Sequence, residues 1–87
     1  DYTKAINLKG NVPIYYFDRG FFYLQRSEYD LAEADFKAAL SLDFEDAKLA
    51  LFNLGIAQYQ LGKKTEACES WKRSGEDALE YLNKYCN

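Results

Sequence analysis

Histidine and methionine are both absent from this chain of 87 residues. Without histidine there is no Ser-His-Asp triad, no imidazole ligand for zinc and no imidazole proton shuttle. The chain starts at Asp1 rather than Met, so the expectation is that something upstream has been removed: a signal peptide, a pro-segment or the rest of a longer protein. Two cysteines, Cys68 and Cys86, are too few for a zinc site of their own or for a disulfide framework. No apolar run approaches the roughly 18 residues that a membrane-spanning helix needs, so no membrane insertion is expected, and the compartment stays open. Positive charge is in the minority, with 11 Lys+Arg against 14 Asp+Glu and a net charge of −3. A phosphate-dominated nucleic-acid binder would need a basic stripe, so no nucleic acid is expected as partner.

What remains is a small, apolar-rich chain. Its 48% apolar residues argue against a disordered tail, and 87 residues hold one core rather than two. Shifted by 35 residues, the chain matches itself: Gly20 falls on Gly55, Ala32 on Ala67, Phe36 on Trp71 and Tyr16 on Leu51. Small residues let two helices approach, and an aromatic at a constant offset fills the space beside them. Pro13 suits the first turn of a helix, where its missing N–H costs nothing. Tyr16, Gly20, Tyr23 and Leu24 recur at helical spacing, as do Leu51, Leu54, Ile56 and Tyr59. Ala32, Phe36, Ala39 and Leu40 form one face of a helix from about 29 to 42; Asp30, Glu33 and Lys37 form its other, solvated face. Gly62 stands where a helix stops in the left-handed conformation, and Ser27 takes that place in the first unit, costing about 1 kcal/mol if it adopts the same conformation.

On these residues the chain resembles the tetratricopeptide repeat, a helix–turn–helix unit of about 34 residues. The first full unit, 13–47, supplies Tyr16, Gly20, Tyr23, Tyr29, Ala32, Phe36 and Ala39 at the motif positions. It departs at Arg19, where Leu is usual, and at Ser27, where Gly is usual. The second unit, 48–74, supplies Leu51, Leu54, Gly55, Gly62, Ala67 and Trp71. It departs at Gln58, where Tyr is usual, and at Ser74, where Ala is usual. One extra residue, Ala47 or a neighbour, lies in the turn between the units. Residues 1–12 look like the second helix of a truncated repeat, with Tyr2 and Ala5 at its motif positions. The ending EACESWKR followed by EYLNKYCN resembles the last repeat and cap of bacterial members. The resemblance implies an all-α fold, a right-handed superhelical stack of antiparallel helix pairs (an alpha solenoid).

Residues 75–87 form either a capping helix or a continuation of the last helix. Ala67, Trp71, Gly75, Ala78, Leu82 and Tyr85 keep helical spacing, which favours one continuous or mildly kinked helix. A break at Gly75, with Glu76 and Asp77 opening a second helix, is the alternative. In one continuous helix the cysteines would stand about 27 Å apart along the axis. A disulfide needs Cα atoms within about 7 Å, so only a tail that folds back would allow it. The simpler expectation is a small apolar residue at Cys68 and a frayed end at Cys86.

Catalysis has little support. Glu28, Asp30, Glu33, Asp35, Asp43, Glu45 and Asp46 crowd one stretch, read as a solvated face with acids at helix starts. Asp43-Phe44-Glu45-Asp46 lacks the glycine and the final glutamate of a calcium-binding loop. No metal and no cofactor are expected. What remains is a surface. By the family's pattern the first helices of the units line a concave groove, which here takes Ile14, Phe17, Asp18, Phe21, Leu24 and Gln25, then Leu49, Phe52, Asn53, Ile56, Tyr59 and Gln60. Asn53 matches the clamp with which one subclass grips acidic chaperone tails, but Phe17 and Phe52 stand where that clamp has lysine. The expectation is therefore a non-enzymatic protein–protein interaction module. Phe17, Phe21, Phe52, Ile56 and Tyr59 would take an apolar or aromatic segment of a protein or peptide partner. Asp18, Gln25, Asn53 and Gln60 would set its register. The alternative is a homo-oligomer assembled through an uncovered repeat end.

Overall fold

A computed structural model describes residues 12–86. The expected half repeat over 1–12 lies, but for Val12, outside the described residues. Four helices form two hairpins: α1 (Pro13–Gln25) with α2 (Tyr29–Ser41), and α3 (Ala47–Gln60) with α4 (Lys64–Ser74). A 3₁₀ turn (Glu76–Ala78) and a short α5 (Leu79–Tyr85) follow. Each helix packs on its hairpin partner, and α2 packs on α3, so the hairpins stack. Among the described residues there is no strand.

Local chemistry sets the helix ends. Pro13 opens α1, and the Tyr15 N–H donates back to the Val12 carbonyl at 3.1 Å. Three helices then close alike. Ser27, Asp43 and Gly62 take positive φ angles of 63°, 59° and 80°. The next residue's N–H reaches back across the turn: Glu28 to the Tyr23 carbonyl at 2.9 Å, Phe44 to Ala39 at 3.2 Å, and Lys63 to Gln58 at 2.9 Å. This closure satisfies carbonyls that would otherwise lack a donor, and it turns the chain sharply enough for hairpins. Ser27 thus adopts the conformation of Gly62, as its matched position implies.

The repeat is also visible in the core. Phe36 and Trp71, 35 positions apart, are 0% and 1% exposed, each seated against the glycine of its own hairpin. Burial of one such ring contributes about 1.5–3 kcal/mol. Around Phe36 lie Ala32, Leu51, Leu54 and Ala57, so this cluster joins the two hairpins. Around Trp71 lie Ala67 and Ala78, with Phe52, Ile56, Tyr59, Tyr81, Leu82, Tyr85 and Cys86 packed on them.

The tail departs from the continuous helix that its spacing favours. Helix α4 ends at Ser74, and Gly75 takes φ 92° and ψ −141°, a region essentially confined to glycine. The chain reverses there, and α5 returns across the second hairpin. That return brings Cys86 to Cys68, with Cα atoms 5.9 Å apart, and the two form a disulfide. The free cysteine and the frayed end expected from sequence are both corrected by this fold-back.

Candidate functional site

The groove positions fall into two groups. On α1, Ile14 and Phe21 are 44% and 41% exposed, and Gln25 is exposed as well. Phe17 and Asp18 are half-buried between them. Phe17 stacks on Phe44 with ring centroids 4.8 Å apart, tilts against Phe36 at 5.6 Å and lies parallel to Phe21 at 6.5 Å. It is therefore both a core contact and the floor of an open apolar row made of Ile14, Phe17 and Phe21. Spacings of three and four residues put that row on one face of the helix. A cleft of about 280 Å³ at its N-terminal end is lined by Val12, Pro13, Ile14, Asp43, Phe44 and Glu45.

Three of the matching positions on α3, Phe52, Ile56 and Tyr59, are covered by the tail. Phe52, Ile56 and Tyr59 are half-buried and Asn53 is buried, whereas Leu49, at 43% exposure, and Gln60 at the two ends of the helix are exposed. Phe52 meets Tyr81 edge-on at 4.9 Å, and Tyr59 meets Tyr85 at 4.7 Å. Asn53, at 6% exposure, lies inside the hairpin stack and faces no open groove.

The residues that depart from the repeat motif form polar contacts that the sequence reading did not pick out. Arg19 donates twice to Asp35, Nε to Oδ2 and Nη2 to Oδ1, both at 2.8 Å. That bond raises the Arg19 pKa above its ordinary value, against the opposing effect of burial. Gln58 donates to Glu33 at 3.4 Å and accepts from the Ser70 hydroxyl at 2.6 Å. Glu33 also pairs with Lys63 at 2.8 Å and with Lys37 at 3.3 Å. Burial pushes the Glu33 carboxyl up, but hydrogen bonds from Lys63 and Gln58 and the Lys37 charge outweigh it, so its pKa lies below the ordinary value. The same bond raises the Lys63 pKa. Ser74 donates to the Lys48 carbonyl at 2.8 Å, tying the end of α4 to the start of α3. Glu33 and Asp35 are therefore buried, at 7% and 4% exposure, and do not lie on the solvated face where periodicity puts them.

The signal that could have found these contacts is the departures themselves. A polar residue at a core position of the motif needs a partner, and Arg19, Gln58 and Ser74 each have one. Among the described residues, no group of three His, Cys, Asp or Glu could hold a metal ion, and no helix is long and apolar enough to cross a membrane. A cleft of about 370 Å³ between α2 and α4 includes Lys37, Leu40, Glu66, Glu69, Ser70 and Arg73.

Stacked helical hairpins with a small residue under each large aromatic define a helical-repeat protein. Comparison with known proteins identifies the repeat. The chain is 33% identical to Small glutamine-rich tetratricopeptide repeat-containing protein 2 of Saccharomyces cerevisiae, over 95% of this chain and 25% of that protein. It is 29% identical to Tetratricopeptide repeat protein 13 of Homo sapiens, over 98% of this chain and 10% of that protein. It is 32% identical to E3 ubiquitin-protein ligase CHIP of Arabidopsis thaliana, over 84% of this chain and 26% of that protein. No family model matches the chain. No solved structure matches it either. The chain belongs to the tetratricopeptide repeat family. It spans only 10% to 26% of the length of these relatives. The likeness of its ending to bacterial members stays an expectation.

Proposed function

We propose that this module holds a segment of a protein partner, without catalysis, in the concave groove, and that the α1 row makes the main contact. The observation that carries this reading is the exposure of Ile14 and Phe21, at 44% and 41%, beside the half-buried Phe17. Three large apolar side chains on one face, rimmed by Asp18 and Gln25, suit an amphipathic helix laid in a groove. Burial of the partner's apolar side chains supplies the affinity, and Asp18, Gln25 and Gln60 set the register. Phe52, Ile56 and Tyr59 contribute less while the tail lies over them, and Asn53 contributes less while it stays buried in the hairpin stack. The right-handed superhelical course and the unit boundaries 13–47 and 48–74 belong to this reading.

The non-enzymatic part rests on where the shifted ionisable groups lie. Arg19, Glu33 and Lys63 are engaged in ion pairs between helices rather than aimed into a cleft. The test is selection of amphipathic helical peptides from a displayed library on the wild-type chain, followed by binding to Phe21→Ala. Phe21 is exposed, so its truncation leaves the fold intact while weakening every groove-bound peptide. Equal binding to both chains would refute the reading. The alternative, self-assembly, draws on Phe22, which is 40% exposed at the end of α1. Light scattering at two concentrations separates the two: about 10.1 kDa throughout supports a free groove, and twice that mass supports assembly.

A further inference from the structure

The second hairpin carries its own aromatic surface, and the tail already occupies it. Phe52 and Tyr59 on α3 and Trp71 on α4 receive Tyr81 and Tyr85 of α5. The Trp71 ring lies 5.4 Å from Tyr81 and 5.9 Å from Tyr85. Tyr81 and Tyr85 are four residues apart, so both project from one face of α5. The tail therefore displays what the surface selects: a short helix with aromatic rings one turn apart.

Ring contacts and one covalent bond hold α5. The helix has seven residues, none of them fully buried, and Leu79 is 55% exposed. A helix this short does not persist in water without support. Its seat is imperfect too, since a cleft of about 170 Å³ remains among Ile56, Tyr59, Gln60, Trp71, Tyr81 and Tyr85. Gly75 supplies a hinge before it, and buried Ala78 pins the 3₁₀ turn. What fixes the far end is the Cys68–Cys86 disulfide, closing a loop of sequence separation 18.

We propose that the surface of Phe52, Ile56, Tyr59 and Trp71 is a second docking position for a short helix with aromatics one turn apart, that α5 is its occupant in the oxidised chain, and that reduction of Cys68–Cys86 frees α5 and opens it. The identity of an outside occupant rests on the groove reading above; the movement of α5 does not. The reductant is a dithiol. One of its thiolates attacks a sulfur of the disulfide, forming a mixed disulfide and releasing a cysteine thiolate. Its second thiol displaces the other cysteine. Two electrons and two protons pass to the protein, leaving two cysteine thiols, and the dithiol ends as a disulfide.

The experiment reads α5 directly. The full chain is compared oxidised, reduced with dithiothreitol, and as Cys86→Ser without reductant. Mass after thiol alkylation counts the free cysteines. The readouts are acrylamide quenching of Trp71, the only tryptophan, and amide hydrogen exchange by residue. In the oxidised chain Trp71 is shielded and no thiol is alkylated. In the reduced chain and in Cys86→Ser, quenching rises several-fold and amides 79–85 exchange fast, while α2 and α3 keep their protection. A synthetic peptide of residues 78–86 carrying serine for the last cysteine then shields Trp71 again when added to Cys86→Ser. The proposal is overturned if both thiols alkylate without reductant, if Trp71 and α5 stay protected after full reduction, if α2 and α3 lose protection as well, or if the peptide restores no shielding. None of these readouts depends on Phe21, so failure here is distinct from failure of the groove reading.

Discussion

Replacing Gly55 with alanine pits two effects of known sign against each other. In an exposed helix, Ala is better than Gly by about 1 kcal/mol, so propensity alone predicts stabilisation. Here a Cβ on Gly55 would meet the Trp71 indole, with Cε2 2.8 Å away and two further ring atoms nearer still. The ring cannot retreat easily. It is 1% exposed, its Nε1 donates to the Phe52 carbonyl at 3.2 Å, and Tyr59, Tyr81 and Tyr85 surround it. Overpacking of this kind costs about 1–3 kcal/mol, and overlap with several atoms of a fixed ring puts it at the upper end. After the propensity gain, Gly55→Ala is destabilised by about 2 kcal/mol. In a domain of this size that lowers Tm by roughly 8–16 °C. The matched site provides the control. At Gly20 the nearest atoms are Phe36 Cε1 at 2.9 Å and Cδ1 at 3.0 Å, a milder overlap that propensity offsets, so Gly20→Ala changes Tm little. Thermal melts followed by circular dichroism read both. A rise in Tm for Gly55→Ala, or a larger loss at Gly20 than at Gly55, would refute the packing argument.

Three further substitutions probe the polar contacts and the turn. Arg19→Leu restores the residue usual in the repeat but strands the Asp35 carboxylate, whose side chain is 6% exposed; it costs about 3 kcal/mol in a urea melt, much of which the double variant with Asp35→Ala recovers. The pKa of Glu33 in the folded chain lies below its ordinary value of 4.5, so its pairing stabilises the fold above that value and is lost as pH falls through the lower, folded value. Glu33→Gln is therefore less stable at neutral pH and loses less stability on acidification below 4.5, as paired urea melts will read. Ser27→Gly relieves a positive φ of 63° and raises stability by about 1 kcal/mol, whereas the same change at an exposed mid-helix site such as Ala34 lowers it.

The hairpins were legible because their packing rule is local in sequence. A glycine and an aromatic at a constant offset recur in both units, and each pair meets in the folded core, Gly20 with Phe36 and Gly55 with Trp71. The left-handed stop at Ser27 was legible for the same reason, by its match to Gly62. The tail was not. Its apolar residues keep helical spacing straight through Gly75, and spacing carries no record of one backbone torsion at 92°. The disulfide followed from that torsion, so it was missed with it. Glu33 was misread because Lys37, one turn on, makes it resemble an exposed pair. The partner that draws it inward, Lys63, is 30 residues away. The groove row could be named by position alone. How far each side chain is covered depends on α5, whose return no periodicity encodes.

Which surface receives a partner decides how this chain works. The most direct measurement is amide and side-chain shift mapping of the isotope-labelled chain with a library-selected helical peptide, under oxidising conditions that keep α5 in place. The account predicts shift changes concentrated at Ile14, Phe17, Asp18, Phe21 and Gln25, absent in Phe21→Ala. Changes concentrated instead around Lys37, Leu40, Glu66 and Arg73, in the cleft between α2 and α4, would contradict it.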